Sequence, residues 1–167
     1  MYGRVNCLSL KEHDSQALLK ELVIFGAPVD AIIIDLDPAE NIGSGKKLRL
    51  KRYSWFFSDQ HVIARKQCDG ALFTRVAGVE HLILIELKSS ITAIPKARKQ
   101  ILAGKAFAAH VESLLGRPIR VCSRIVYIGP PVPPKVFAMT GEITLDRDIP
   151  VSAPQGRAYL SINEVLR

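Results

Sequence analysis

Cysteine is scarce in this chain of 167 residues, and its three copies are widely scattered. Cys7, Cys68 and Cys122 form no C-x-x-C pair, which argues against a disulfide framework and against a zinc knuckle. Long hydrophobic runs are also missing, since every apolar run is far shorter than the roughly 20 residues that span a bilayer. The first residues lack the apolar core of a signal peptide, so we expect a cytoplasmic protein without a membrane partner.

Acidic residues are in the minority, with 16 Asp and Glu against 23 Lys and Arg and a formal net charge of +7. A basic surface attracts polyanions, and nucleic acid is the commonest cytoplasmic polyanion. The chain has no internal repeat, and its apolar content of 48% is that of an ordinary folded domain. We therefore expect one domain over residues 1–167, with a core at about 15–128 and a C-terminal extension with short strands at 129–167.

The hydrophobic pattern predicts two helices and several strands. Apolar residues recur at helical spacing over residues 15–25 and 95–115. Segments typical of strands are 29–36, 61–66, 71–77, 82–88, 119–128, 136–139 and 158–162. Residues 41–47 have the composition of a loop, and short connections favour an antiparallel meander of 61–66, 71–77 and 82–88. This order predicts an α/β or α+β fold with a mixed central sheet flanked by helices.

The segment LILIELK at residues 82–88 carries charge at the end of an apolar strand. Side chains alternate along a strand, so Glu86 and Lys88 point to one face and Leu87 to the other. Both faces begin apolar, as in a strand that is covered on both sides. Burying unpaired charge is costly, so Glu86 and Lys88 need a metal ion, each other or an anionic ligand as partners.

Asp69 is a third charged residue that the topology brings to the same end of the sheet. If segments 71–77 and 82–88 pair as a hairpin that turns near residues 78–81, position 88 lies near position 71, and Asp69 comes within reach of Glu86 and Lys88. Carboxylate oxygens suit Mg²⁺, which would neutralise a phosphate and lower the pKa of a bound water. Lys88 would position that water or stabilise the anionic transition state. The three residues therefore predict metal-assisted hydrolysis of a phosphodiester.

These residues resemble the motif of the PD-(D/E)xK nuclease superfamily, which includes restriction endonucleases, Holliday junction resolvases and RecB-like nucleases. The motif residues here are Asp69 in CDGALF and Glu86-Leu87-Lys88 in LILIELKSS, followed by a long helix and an apolar strand. The resemblance covers about residues 15–128 and implies a restriction endonuclease-like core of a helix, a three-stranded meander, a helix and a strand. It also implies a Mg²⁺-dependent endonuclease that hydrolyses DNA, with Mn²⁺ as an alternative ion.

The resemblance assigns a role to each matching residue. Asp69 and Glu86 would be catalytic residues and metal ligands, the backbone carbonyl of Leu87 would be a further ligand, and Lys88 would be the catalytic lysine. Many members carry an acidic residue on the first helix, and Glu21 matches it as an additional candidate metal ligand. Glu12 is the alternative candidate for that position.

Two departures from the family pattern concern neighbouring positions. Cys68 stands where the family name has proline. RecB-like members place a Gln and a Tyr one turn apart on the second helix, whereas Gln100 is followed four positions later by Gly104. Gln100 and Lys96, which share one flank of that helix, remain candidate contacts to nucleic acid.

A basic stretch between residues 46 and 52 is a further candidate surface for nucleic acid. Its cationic residues are Lys46, Lys47, Arg49, Lys51 and Arg52. The same alternation of charge with leucine is also typical of a half-exposed strand.

Two other interpretations accompany the nuclease hypothesis. Asp35-Leu36-Asp37 follows an apolar run and resembles the D-x-D strand end of haloacid-dehalogenase-type phosphatases, although a turn at Asp37-Pro38 also explains it. The rival function is a non-catalytic module with the same fold that binds nucleic acid or supports an assembly. A small nuclease that acts on both strands is often a dimer, so a homodimer is an option for the nuclease, with the apolar, proline-rich C-terminal part as its interface.

Overall fold

The computed structural model describes residues 6–12, 16–36, 39–42, 46–49, 68–130 and 146–167. Within these ranges the chain forms ten strands and two α-helices. The strands are β1 (Asn6–Lys11), β2 (Glu21–Ala27), β3 (Ile32–Asp35), β4 (Ala39–Ile42), β5 (Lys46–Arg49), β6 (Gly70–Val76), β7 (Val79–Lys88), β8 (Arg120–Ile128), β9 (Asp146–Val151) and β10 (Arg157–Ser161). The helices are α1 (Ile94–Leu115) and α2 (Ile162–Leu166).

The larger sheet has five strands in the order β3-β6-β7-β8-β9. Strands β3, β6 and β7 form an antiparallel meander, whereas β7, β8 and β9 run parallel. A tight turn joins β6 to β7 through Ala77 and Gly78, whose φ angles of 50° and 78° are those of a two-residue type I′ hairpin. Helix α1 supplies the crossover connection that a parallel pair needs. The fold is therefore mixed α/β.

Helix α1 covers one face of the larger sheet. It begins with Pro95 in its first turn, where the missing N–H costs no hydrogen bond, and it ends at Gly116 with a left-handed φ of 62°. The residues that it buries are Ile94, Ala97, Ile101, Ala103, Gly104, Phe107 and Ala108. A Cβ at Gly104 would lie 2.7 Å from the sulfur of Cys68, so glycine permits the close approach of helix and sheet. No helix within the described ranges, α1 included, has the length and hydropathy of a membrane span.

A smaller sheet in the order β1-β2-β10 covers the opposite face of the larger one. Strand β1 is antiparallel and β10 parallel to the central strand β2. The buried cluster between the sheets includes Ile83 and Ile85 of β7, whereas Leu82 and Leu84 belong to the cluster beneath α1. Strand β7 is thus covered on both faces, as its sequence pattern predicts.

The helix predicted over residues 15–25 is wrong. Residues 21–25 belong to β2, and residues 16–20 form an irregular segment before it. A helix would bury Leu18, Leu22 and Phe25 together, but Leu18 is 65% exposed and Phe25 is 42% exposed. Leu22 and Ile24 are fully buried instead, which is the two-residue period of a strand.

Most of the other predicted elements are found. Strands over 71–77, 82–88 and 119–128 and the helix over 95–115 are confirmed as β6, β7, β8 and α1. Strand 29–36 is confirmed in its second half as β3, and strand 158–162 is confirmed as β10 except that Ile162 begins α2.

The remaining segments either differ from the prediction or lie outside the described residues. Segments 61–66 and 136–139 lie outside the described residues. Among the described residues, β6 pairs with β3 and β7, so the meander is β3-β6-β7. The expected loop at 41–47 is in part the β4-β5 hairpin. Strands β1 and β9 were not expected from the sequence, and residues 146–167 contribute strands to both sheets.

Candidate functional site

The pairing of β6 with β7 brings Asp69 beside Glu86. The sequence predicts that position 88 lies near position 71, whereas the structure pairs Gly70 with Ile85. The difference arises because the chain reverses at Ala77 and Gly78 and not over the longer segment 78–81. Asp69 directly precedes Gly70 and Glu86 directly follows Ile85, so the two acidic residues come together where β6 begins.

Hydrogen bonds fix the two carboxylates relative to each other. The backbone N–H of Asp69 donates to Oε2 of Glu86 over 3.1 Å, and the N–H of Leu87 donates to Oδ2 of Asp69 over 2.6 Å. The Nζ of Lys88 donates to Oε1 of Glu86 in an ion pair. The three motif residues therefore form one connected cluster.

Burial determines the protonation of this cluster. Glu86 is fully buried, Asp69 is 5% exposed, and the Lys88 side chain is 12% exposed. Burial raises the pKa of Asp69 well above its usual range, and the negative charges of Glu86 and Glu12 raise it further. Burial also raises the pKa of Glu86 to about 7, although the Lys88 ammonium opposes this. Burial would lower the pKa of Lys88, but attraction by Glu86 and Asp69 raises it overall, so Lys88 is an ammonium at neutral pH.

Glu12 is the third carboxylate at this cluster. Its charge acts on the pKa values of Asp69, Glu86 and Lys88. Its backbone is held at the start of the 12–20 connection, where the N–H of Glu12 donates to the carbonyl of Lys20 over 2.9 Å. Of the two acidic residues that the sequence offered as a match for the family's helical position, Glu12 is therefore the one whose charge reaches the cluster.

Glu21 has other partners. It lies on β2, where Oε2 accepts a hydrogen bond of 2.6 Å from Nε of Arg157 and Oε1 accepts one from the Ser9 hydroxyl. These bonds lower the pKa of Glu21 despite partial burial. A strand in place of the predicted helix explains the difference, because Glu21 points to the outer face of the smaller sheet, opposite to buried Leu22.

Two glycines allow the backbone to pack closely around the cluster. A Cβ at Gly70 would lie 2.5 Å from Cδ1 of Leu10, so β1 packs directly over the residue that follows Asp69. On the other face, Gly104 of α1 packs against Cys68, the residue that precedes Asp69. The pKa of the Cys68 thiol is raised by burial and by the charges of Glu86 and Asp69, so this thiol stays protonated.

The predicted nucleic-acid contacts are not all described. Lys96 is exposed in the first turn of α1 and Gln100 is partly buried one turn later. Lys46, Lys47 and Arg49 belong to β5, which confirms the strand interpretation of their alternation with leucine, and the surroundings of their side chains lie outside the described residues. Lys51 and Arg52 also lie outside the described residues.

The backbone of the alternative D-x-D motif is hydrogen-bonded to the backbone of the cluster. Asp35 pairs with Gly70, and the N–H of Leu36 donates to the carbonyl of Asp69 over 2.9 Å. Successive residues of a strand alternate faces, so the side chain of Asp35 lies on the face opposite to Leu36 and Asp69. Asp37 lies outside the described residues.

A partly buried ion pair that sequence reasoning missed lies on the same sheet face. Asp148 of β9 pairs with Ile125, which pairs with Glu86, and its carboxylate accepts a hydrogen bond of 3.2 Å from Nη2 of Arg98 on α1. Two strand spacings, roughly 9.5 Å, separate the backbones of Asp148 and Glu86, so the two carboxylates belong to different sites. This pair is not predictable from the sequence pattern, because residues 146–151 are not identified there as a strand.

Comparisons of the chain with family models, with curated proteins and with solved structures found no match. Within the described ranges, no group of three or more His, Cys, Asp and Glu side chains has the arrangement of a complete metal site. Mg²⁺ is commonly bound by one or two carboxylates together with waters and substrate phosphate. Asp69 and Glu86 supply such a pair of carboxylates, and the cluster they form is the candidate active site.

Proposed function

We propose that this protein is a metal-dependent nuclease of the PD-(D/E)xK type that hydrolyses phosphodiester bonds of DNA. The observation that carries the proposal is the connected cluster of Asp69, Glu86 and Lys88, which lies where β6 begins and β7 ends. Each buried charge costs free energy of folding. The burial of two acids and one ammonium at the end of a strand that is covered on both faces is therefore not explained by stability. A site for a divalent cation and an anionic substrate supplies the explanation.

The donor set fits Mg²⁺ or Mn²⁺. Asp69 and Glu86 offer hard carboxylate oxygens. Burial raises the pKa of both groups and neighbouring negative charge adds to the rise, so a bound cation would favour their charged forms. The N–H of Leu87 points to Asp69, and the carbonyl of a strand residue points to the same side as its N–H. Asp69, Glu86 and the Leu87 carbonyl would therefore hold the ion, with Glu12 as the additional nearby carboxylate.

The bound ion would supply Lewis-acid activation of water and neutralisation of phosphate charge. Lys88 contributes a fixed positive charge, because its raised pKa keeps it protonated. An ammonium acts as a hydrogen-bond donor, so Lys88 stabilises the charge that develops on the phosphate and does not remove a proton from water. Asp69 and Glu86 orient the site, since each accepts a hydrogen bond from the backbone of the other's strand.

The order of elements supports the finer fold assignment. Strands β3, β6 and β7, helix α1 and strand β8 follow the order of a meander, a helix and a strand that the resemblance implies. The helix expected before the meander is replaced by β1 and β2 within the described residues. The restriction endonuclease-like core is thus proposed for residues from β3 to β8.

Cleavage of a mixed set of nucleic acids tests the proposed function. The substrates are plasmid, linear, single-stranded and branched DNA and RNA, each with Mg²⁺ or Mn²⁺ and with EDTA. We expect metal-dependent cleavage of DNA that falls by roughly 100-fold or more in Asp69→Asn, Glu86→Gln and Lys88→Met, because each removes a group that acts on the reacting phosphate.

Glu80→Gln is the matched control for Glu86→Gln. Glu80 lies on the same strand, but at its opposite end, where it pairs with Arg75 and Arg117. This variant should cleave at the wild-type rate. Cleavage in EDTA, or equal cleavage by wild type and Asp69→Asn, would overturn the proposal. Salt-sensitive binding without cleavage of any substrate would favour the non-catalytic module instead.

A further inference from the structure

A cleft with a volume of about 460 Å³ opens beside the smaller sheet, away from the acidic cluster. The residues that matter for its chemistry are Lys20, Glu21, Gln155, Arg157 and Tyr159. A volume of this size falls within the range of pockets that hold small molecules or single building blocks of a polymer. The cleft therefore has room for one nucleotide unit.

The wall of the cleft is a tight turn that leaves no space for a side chain. Gly156 has a φ of 79°, and a Cβ there would lie 2.9 Å from Cγ of Lys20 and 3.0 Å from the carbonyl oxygen of Leu18. The N–H of Lys20 donates to the carbonyl of Gly156 over 2.6 Å. Packing thus forms the cleft before any ligand binds.

An exposed aromatic ring forms one side of the cleft. Tyr159 of β10 is 56% exposed, and it shares the outer face of the smaller sheet with Phe25 of β2, which is 42% exposed. Tyr159 pairs with Val23, and the next outward pair is Ser161 with Phe25. A sheet face that presents large aromatic side chains to solvent is a surface on which bases of single-stranded nucleic acid stack.

The charges around the ring favour an anionic ligand. Arg157 is 54% exposed and hydrogen-bonds the side chains of Glu21 and Tyr159. Lys20 is exposed at the rim, and Lys11 lies opposite Glu21 on β1. Arg157, Lys20 and Lys11 together outnumber the single carboxylate of Glu21, so this group of side chains carries a net positive charge.

The cleft is connected to the acidic cluster by one short segment. The N–H of Leu18 donates to the Ser89 hydroxyl over 2.7 Å, and Ser89 directly follows Lys88. Lys20, two residues further on, bonds through its backbone to Glu12 on one side and to Gly156 on the other. This segment therefore links the end of β7, next to the cluster, to the wall of the cleft.

We propose that this cleft binds a nucleotide of single-stranded nucleic acid, with the base stacked on Tyr159 and a phosphate held by Arg157 and Lys20. The choice of ligand rests on the proposed nuclease function, which makes nucleic acid the substrate. Binding in the cleft does not depend on catalysis, because none of its residues belongs to the acidic cluster. The cleft selects a single strand because only an unpaired base exposes its face for stacking.

Fluorescence anisotropy of a labelled DNA oligonucleotide, measured in EDTA on the full chain, tests this site. We expect Tyr159→Ala to weaken binding roughly 5- to 150-fold, because it removes a stacking ring, and Tyr159→Phe to bind like the wild type. Arg157→Ala should weaken binding and reduce its salt dependence. Arg75→Ala is the matched control, since Arg75 is an equally exposed arginine (53%) that also pairs with a glutamate on a strand, and it should do neither.

Duplex DNA and single-stranded RNA form the further arms of the experiment. Tighter binding of single strands than of duplex supports the site, and the comparison of DNA with RNA identifies the sugar that it accepts. Photocrosslinking of an oligonucleotide that carries 5-iodouracil, followed by peptide mapping, should label Tyr159. Binding by Tyr159→Ala and Arg157→Ala that equals the wild type, or a crosslink elsewhere, would overturn the proposal.

The same variants distinguish a failure of this proposal from a failure of the nuclease proposal. If Tyr159→Ala binds normally while Asp69→Asn has lost cleavage, only the cleft proposal fails. If Tyr159→Ala loses binding while no substrate is cleaved by the wild type, only the nuclease proposal fails.

Discussion

Three ionisable side chains lie together where they have little contact with water, namely those of Asp69, Glu86 and Lys88. A fourth, Glu12, acts on all of them by its charge. With three acids against one ammonium, the cluster is short of positive charge, so without a cation it compensates by holding protons. This excess of protons in the folded state has a measurable consequence for stability.

The first prediction concerns the pH dependence of the metal-free protein. Glu86 titrates at about 7 when folded and near 4.5 when unfolded, so the folded state binds more protons between these values. The free energy of unfolding therefore falls as pH rises from about 4.5 to about 7, and Asp69 adds an effect of the same sign. Urea unfolding in EDTA should show this fall in the wild type.

Two variants isolate the contribution of Glu86. Glu86→Gln removes the titrating group and should flatten the fall. Glu80→Gln, at the opposite end of the same strand, should keep the fall, because the pKa of Glu80 is lowered by its hydrogen bond to Arg75. An unchanged pH dependence in Glu86→Gln would show that Glu86 titrates normally in the folded protein.

The sequence predicts secondary structure best where its hydrophobic pattern is compatible with only one kind of element. The run LILIELK is apolar on both faces and is found as the central part of β7, and residues 95–115 have the period of the helix found as α1. Residues 21–25 also have the two-residue period of a strand, although segment 15–25 has the period of a helix. Their placement in β2 depends on pairing with β1, which precedes β2 in the chain, and with β10, which lies far from β2 in sequence.

The sequence predicts one part of the candidate site and leaves another part open. Asp69 and Glu86 could be brought together because a short hairpin fixes their pairing. The third acid could not be chosen from sequence, because the positions of Glu12 and Glu21 depend on the path of the irregular segment 16–20 and on whether β2 is a helix. The cleft at Tyr159 was not foreseeable, since Arg157 and Tyr159 lie in a region whose placement the sequence leaves open.

The second prediction concerns the β6-β7 hairpin, which sets the register of Asp69 against Glu86. Ala77 has a φ of 50°, a conformation that costs a residue with a Cβ about 1 kcal/mol, whereas asparagine tolerates it. Asn-Gly is the preferred type I′ sequence, so Ala77→Asn should raise the free energy of unfolding by about 0.5 to 1 kcal/mol.

Urea denaturation measures this change, and Ala77→Val is the opposing control. A β-branched residue is strained at positive φ, so Ala77→Val should lower the free energy of unfolding. Destabilisation by Ala77→Asn would contradict the assigned turn and, with it, the register on which the site depends.

For the molecule as a whole, the C-terminal residues tie the two layers together. Strand β9 extends the larger sheet and β10 extends the smaller one. The buried guanidinium of Arg124 on β8 donates to the carbonyl of Val165 in α2 over 2.6 Å and to the carbonyl of Ser123 over 2.7 Å. One side chain thus links the larger sheet to the final helix.

The third prediction concerns this link. Arg124→Met leaves two buried carbonyls without their donor and should lower the free energy of unfolding by about 2 kcal/mol. Arg120→Met, an exposed position on the same strand, should change it by less than about 0.5 kcal/mol. Equal effects of the two substitutions would show that Arg124 contributes no specific bond.

The measurement that tests the acidic cluster most directly is a calorimetric titration of the full chain with Mn²⁺ at about pH 8, without substrate. At this pH Glu86 is mostly deprotonated, which lessens the competition between protons and the metal at this ligand. Our account predicts saturable binding of Mn²⁺ that Glu86→Gln and Asp69→Asn abolish and Glu80→Gln retains. Absence of binding to the wild type, or binding that survives both Glu86→Gln and Asp69→Asn, would contradict it.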